Sequence, residues 1–286
     1  MLDQLLASLV DGLLIGFVYG VAAMGLTLIW GVARIINLAH GAIIAMAMFG
    51  LYYLVSGVGL NPYLALPFVA VGGLLAGYVI YAIAVHRVIN APPLASLLAT
   101  FAVNMMIIGT ATTVFTTSPY SVNFDLGRVT AGSITLPYTR IVATVAAIAV
   151  SAGLYLFLYR SGTGRSIRAV ANNRDAAELM GIPSGRILAL SFGLGTMFAA
   201  VAGGLIATFF PFTVLSGDAY QLKSFVIVVL GGLGNPLGAL VGGLVLGSLE
   251  GLVPVFMSSS WVPVIEFGLF VVILLARPNG LFGGRR

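Results

Sequence analysis

Between Arg34 and Arg87 the chain carries no Asp, Glu, Lys or Arg. A helix rises 1.5 Å per residue, so crossing about 30 Å of hydrocarbon takes roughly 20 apolar residues. That interval is long enough for two crossings, with Gly57, Gly59, Asn61 and Pro62 marking the turn between them. Across all 286 residues 60% are hydrophobic and 7% charged, against roughly 45–50% and about 25% in soluble domains. So few charges cannot solvate the exterior of a globule this size, which excludes a water-soluble fold. The same composition opposes disorder. The 37 glycines have no three-residue period, which excludes collagen, and they suit close approach of membrane helices. An outer-membrane barrel would instead show alternating segments of about ten residues. There is no cysteine, so disulfides, thiolate metal sites and a cysteine nucleophile are excluded.

The expected fold is therefore all-α: a polytopic transmembrane bundle of about eight or nine spans, forming one membrane-embedded domain over residues 1–286. The first span fits Gly12 to Ala33, and two more lie between Arg34 and Arg87. Leu94 to Phe115, Ile141 to Tyr159 and Ile187 to about Phe210 supply three further spans. Tyr220 to Phe256 reads as two apolar segments broken by Gly231, Gly232, Gly234, Asn235 and Pro236. The first of these is either a short crossing or a re-entrant half-helix. Trp261 to Ala276 forms the last span, with Glu266 inside it.

Net charge is +5, and Lys223 is the sole lysine. In a membrane chain this basic excess reports orientation rather than nucleic-acid binding, because cytoplasmic loops are enriched in Arg and Lys. With the N-terminus outside and nine crossings, Arg34, Arg87, Arg160, Arg165, Arg168, Arg174, Arg186, Arg277, Arg285 and Arg286 fall inside. Only Arg128, Arg140 and Lys223 then fall outside. Eight crossings leave the two sides nearly balanced, so nine is preferred and the C-terminus is placed in the cytoplasm. No basic residue precedes the first span, so Met1 to Ala33 reads as retained rather than as a cleaved signal.

The longest polar insertion on the proposed cytoplasmic side is Arg160 to Arg186, RSGTGRSIRAVANNRDAAELMGIPSGR. Asn173 fits an N-cap and Asp175 the first turn, where a negative charge favours the helix dipole. Gly181 fits the left-handed position past the helix end, and Pro183 prevents continuation. The resulting helix of about two turns would expose Ala177, Leu179 and Met180 beside Arg174 and Glu178. It either lies on the headgroups, its arginines meeting anionic lipid, or docks into a groove of a soluble partner. Small residues favour docking, since Ala176, Ala177 and Gly181 let a partner approach closely.

Asp175-Ala176-Ala177-x-x-x-Gly181 resembles the EAA loop of bacterial ABC importer permeases, with Asp in place of Glu. The usual downstream Leu-Pro is absent, and Ser191 and Phe192 stand near its place. GLTLIWGVARIINLAHG (Gly25 to Gly41), ANNRDAAELMGI, GGLGNPLGALVGG (Gly231 to Gly243) and ARPNGLFG (Ala276 to Gly283) resemble motifs of branched-chain amino acid permeases. In this order they cover essentially the whole chain, which is similar to the shorter, LivH-type permease of such systems. The resemblance implies a second homologous permease, two cytoplasmic ABC ATPases and an external substrate-binding protein. It also implies that Asn173 to Gly181 (Asn173, Arg174, Asp175, Ala176, Ala177, Glu178, Leu179, Met180, Gly181) couples to the ATPase. Leucine, isoleucine and valine are the implied cargo class, with amides, urea or other amino acids as rivals.

Individual residues leave alternatives open. Asn37 and His40 either satisfy backbone groups at a helix end or handle substrate or protons. Asn104 is a pore-lining donor or an interhelical hydrogen-bonding group. Glu250 and Glu266 are the deep carboxylates of the last spans, without an evident Arg or Lys partner in the same layer. They would drive a stand-alone proton-coupled carrier, or sit near water or a helix end. The Gly231, Gly232, Gly234, Asn235 break is either a transport-site border or a tight turn. No zinc-type His cluster, other metal site or G-x-S-x-G elbow appears, so the chain reads as non-catalytic. It also lacks a phosphate-binding loop. The chain itself is thus expected to hold no cofactor, with ATP-Mg bound by partner subunits.

Overall fold

The computed structural model describes residues 2–131, 134–277 and 280–282. Arg285 and Arg286, counted above as cytoplasmic, and parts of the Ala276–Gly283 motif lie outside them.

Each expected span has a helical counterpart: α1 (Leu2–Ala33), α2 (His40–Ser56), α3 (Pro62–Ile80), α4 (Pro93–Phe115), α5 (Tyr138–Arg160), α8 (Ser184–Ala207), α9 (Ser216–Gly231), α10 (Pro236–Phe256) and α11 (Val262–Ala276). Among the described residues, seven helical stretches are long and apolar enough to cross a membrane, while α2 and α9 are shorter. The chain is a multi-pass membrane protein with an all-α bundle fold. Two short helices, α6 (Gly162–Asn172) and α7 (Arg174–Leu179), occupy the polar insertion. A hairpin, β1 (Arg128–Ala131) antiparallel to β2 (Ile134–Pro137), leads into α5.

α1 starts about ten residues before the expected Gly12. The extension carries Asp11, whose carboxylate pairs with Arg140 at the start of α5. That end of the bundle is the N-terminal face. The opposite end, with Arg34 and the α6–α7 insertion, is the loop face. Glycines bring α1 and α10 together as antiparallel neighbours: a Cβ at Gly16 would sit 2.7 Å from the Gly243 carbonyl oxygen, and Gly12 meets Gly247. α3 meets α8 in the same antiparallel manner, with Gly73 and Gly77 against Thr196.

The course of α2 and α9 is not that of ordinary spans. α1 ends on Arg34, a non-glycine residue with φ of 55°, and residues 35–39 then return as non-helical backbone. α2 begins at His40, whose Nε2 lies 3.0 Å from the Ala22 carbonyl oxygen. Ala22 is midway between Asp11 and Arg34, so α2 starts at mid-depth and runs to the N-terminal face. α8 reaches that face at Ala207, and residues 208–215 turn back inward. α9 then starts with Gly217 against Gly41 and runs to the loop face. Sixteen residues give α9 about 24 Å, too short for a full span but sufficient from mid-depth.

The two halves thus share one plan in opposite directions. α1, unwound residues 34–39, α2 and α3 correspond to α8, unwound residues 208–215, α9 and α10. α1 packs on α10 as α8 packs on α3, while α1 meets α8 and α2 meets α9. The relation is a pseudo-twofold axis lying in the membrane plane, marked by the close approaches Gly25–Gly195 and Gly41–Gly217.

Two expectations need correction. Lys223 lies within α9 rather than in an outer loop, and its Nζ is 2.6 Å from Glu250 and 3.9 Å from Glu266. The two deep carboxylates therefore do have a cationic partner. No sequence pattern carries this pairing, because α9 and the α10–α11 pair come together only in three dimensions.

Candidate functional site

The insertion is built by local signals. Ser161 caps α6, its Oγ accepting from Gly164 N at 2.8 Å, and Ile167 and Val170 bury one side of that amphipathic helix. Arg168 lies over the Tyr159 ring at 4.7 Å, which ties α6 to the end of α5. Asn173 caps α7 as its sequence position indicates, Oδ1 accepting from Ala176 N at 3.0 Å. Gly181 takes φ of 80°. Its N–H donates to Glu178 O, and the Ile182 N–H donates to Ala177 O. This paired pattern closes a helix whose next residue is left-handed.

Side chains fix α7 in place. Arg174 reaches Asn90 Oδ1 at 3.1 Å and Glu178 Oε1 at 3.2 Å, and the Ser184 hydroxyl donates to Glu178. The Ser184 hydrogen bond, followed by Arg174, holds the Glu178 carboxyl below its ordinary pKa of 4.5. Leu179 and Met180 are 89% and 83% exposed. Ala177, expected on the exposed face, is 5% exposed, because α7 rests that side against the bundle. The exposed small residue is Ala176 instead.

Beside α7 a polar cavity of about 470 Å³ opens between the end of α1, the start of α4 and the α6–α7 junction. Arg34, Ile35, Ser96, Asn173, Arg174 and Asp175 are among its walls. The cap of α7 and the unwound segment after α1 therefore border one space.

At mid-depth the unwound segment is held by α4 and α9. Thr100 Oγ1 accepts from Leu38 N at 3.2 Å and donates to Ile36 O at 3.0 Å. Gln221 Oε1 accepts from Gly41 N at 2.7 Å, and its Nε2 donates to Asn37 O at 3.4 Å. Asn37 and His40 do satisfy backbone groups: Asn37 Oδ1 accepts from Ala39 N at 3.1 Å, and His40 contacts Ala22 O. Each still keeps one fully buried side-chain atom without a partner, Asn37 Nδ2 and His40 Nδ1. Asn104 is buried one turn beyond Thr100 on the same face of α4.

The other singled-out residues lie elsewhere. Gly231, Gly232, Gly234 and Asn235 form the tight α9–α10 turn at the loop face, with φ of 99° at Gly232 and 84° at Gly234. Asn235 Oδ1 caps α10 through Gly238 N at 3.1 Å. Backbone unwinding at depth falls instead at 34–39 and 208–215. Glu250 and Glu266 form a cluster with Lys223 and Tyr19, whose ring lies 4.8 Å from Lys223 Nζ. Sequence reasoning missed Arg34, Thr100, Gln221 and Lys223 as site residues. Gln221 and Lys223 stand close together in an otherwise apolar segment, which was the available signal.

Comparison with known proteins is consistent along the chain. The family model described as branched-chain amino acid transport system / permease component matches residues 8–274. The high-affinity branched-chain amino acid transport system permease protein BraD of Pseudomonas aeruginosa is 29% identical, covering 97% of this chain and 95% of its own. LivH of Escherichia coli K12, of the same description, is 27% identical over 97% and 95%. A probable branched-chain amino acid transport permease, LivH of Methanocaldococcus jannaschii, is 28% identical over 91% and 87%. The chain belongs to the family of branched-chain amino acid transport system permease components.

Proposed function

We propose that this chain is one of two permease subunits in an ABC importer of branched-chain amino acids, set in a bacterial inner membrane. Family membership over nearly the whole chain supports the transport reading. The observation that carries the coupling reading is α7: a helix capped at both ends, locked to the bundle, presenting two apolar side chains to solvent. Such a surface suits a groove on a cytoplasmic ATPase. Its cap borders the polar cavity, so movement of α7 on ATPase closure would be felt directly by the pathway walls. The remaining partners are a second homologous permease and an external binding protein that delivers cargo. ATP-Mg belongs to the ATPases. Nothing in the comparisons supports a stand-alone proton-coupled carrier, and Lys223 compensates the carboxylates that such a carrier would use. The N-terminal face is external and the loop face cytoplasmic.

The test is co-purification of tagged chain with its ATPases from detergent-solubilised membranes. Leu179→Lys combined with Met180→Lys leaves the Asn173 cap and Gly181 unchanged and suits the negative end of α7. It is expected to cut ATPase recovery about tenfold or more, as burying two charges in an apolar groove requires. Full recovery with the double variant would overturn the docking assignment. A wild-type chain that purifies alone and takes up leucine under a proton gradient would overturn the importer.

A further inference from the structure

We propose that the meeting point of α2 and α9 is a closed recognition site for the charged head of a zwitterionic α-amino acid. This rests on the importer reading above and adds the place and chemistry of cargo contact.

Two buried side chains lie at the α2 start with unused valence of opposite kinds. The Ala39 backbone N–H can only donate, so the Asn37 atom facing it is Oδ1 and the amide NH₂ is left over. The Ala22 carbonyl can only accept, so His40 Nε2 carries the hydrogen, and in the neutral ring Nδ1 is a bare acceptor. Both residues are 0% exposed. Unpartnered buried polar atoms are rare and call for an explanation. Here one is a donor, matched to a carboxylate, and the other an acceptor, matched to an ammonium. They stand three positions apart at one helix end.

The third contact is already occupied by a stand-in. The Gly41 N–H, at the positive end of α2, donates to the Gln221 carboxamide oxygen at 2.7 Å. A carboxylate oxygen would take that place with a stronger, charge-assisted hydrogen bond. Gln221 comes from α9, the pseudo-symmetric half-helix, so its displacement is coupled to separation of the two halves. Gly41 and Gly217 admit no side chain between them: a Cβ on either would overlap the other's carbonyl oxygen. The site is therefore shut in this conformation. One turn along α2, Ala42, Met46, Ile107 and Val214 wall an apolar recess with no room for a water molecule here, so an aliphatic side chain would enter it only as the halves part. In the other direction the unwound segment leads to Ile35 and Arg34 at the polar cavity beside α7.

The experiment uses the complete complex in lipid nanodiscs, without binding protein, and measures equilibrium binding of leucine and of leucinamide, which lacks the carboxylate. Wild type is expected to prefer leucine by at least about tenfold. Asn37→Ala is expected to reduce that preference severalfold, leaving the share the Gly41 N–H supplies, and Gln221→Glu, which fixes a carboxylate at Gly41, to abolish leucine binding. With binding protein added, Gln221→Glu complexes in liposomes should lose at least about tenfold of ATP-driven leucine uptake. Equal binding of the two compounds by wild type overturns the proposal, as does unchanged preference in Asn37→Ala or unchanged uptake in Gln221→Glu. If a variant does not assemble, the wild-type preference decides. Failure of the importer reading itself shows differently, as wild-type uptake that ignores ATP.

Discussion

At the scale of residues, this bundle is organised by what is missing from side chains. α1 and α10 touch backbone to backbone at Gly12, Gly16, Gly243 and Gly247, where an added Cβ meets carbonyl oxygens rather than movable side-chain ends. In lipid there is no hydrophobic drive between helices, so such close packing is a main source of association. Gly247→Leu is therefore expected to lower stability by about 3 kcal/mol or more, since overpacking against backbone leaves no room to relax. Gly109→Leu, at a position with nothing within 4 Å, is expected to change stability by less than about 1 kcal/mol. Thermal unfolding of the purified chain in one detergent separates the two outcomes. Matching losses at both positions would mean that the α1–α10 contact is not what holds the bundle. Lys223 shows the limit of residue-level reading. Its sequence position put it in an outer loop, whereas its environment is two carboxylates and the ring of Tyr19.

At the scale of elements, α7 shows a helix specified almost wholly by local sequence. Asn173 at the cap, Asp175 in the first turn and Gly181 past the end are each sufficient in kind, and the structure realises the caps as the residue types require. What local sequence left open was which side faces the bundle. Tertiary contacts to Asn90 and Ser184 decided that, burying Ala177. The Arg174–Glu178–Ser184 lock also makes α7 sensitive to acid. The folded pKa of Glu178 lies below 4.5, chiefly through the Ser184 hydroxyl. The stabilisation is thus complete above the ordinary value and is lost as pH falls through the depressed one. Hydrogen–deuterium exchange of α7 amides, corrected for intrinsic rate, should stay constant from neutral pH down to about 4.5 and rise below it. Glu178→Gln should remove this dependence. An unchanged profile in that variant would show that the lock does not hold the helix.

At the scale of the whole molecule, the inverted repeat explains why α2 and α9 are not full-length spans. α9 is too short to cross because it starts at mid-depth, and α2 is its counterpart from the other half. With the unwound segments counted, the described residues run nine times between the two faces of the bundle, from Leu2 at one to Phe282 at the other. The orientation predicted from the basic residues is testable because the chain has no cysteine of its own. A membrane-impermeant maleimide should label Ser118→Cys, exposed on the N-terminal face, in intact cells. It should label Thr163→Cys, exposed in α6, only in inside-out vesicles. The reverse pattern would invert the assignment and remove α7 from the side where an ATPase resides.

The amino-acid sequence by itself determined the solvent, the class and most of the element boundaries. Uncharged runs of membrane length, turn residues and caps act locally, so their consequences follow from the order of residues. The short helix α7 was legible for the same reason. The path of the backbone at depth was decided only by tertiary structure. Arg34 to Ala39 and Thr208 to Leu215 are unwound without any proline- or glycine-rich break to announce it, save for Pro211 in the second. The first remains so because Thr100 and Gln221 supply hydrogen bonds a helix would otherwise provide, and the second is held by backbone pairing of Phe212 with Tyr120. The pairing of Asn37 and Gly41 with a glutamine 180 or more positions away depends on folding the halves together. No pattern within either half contains it.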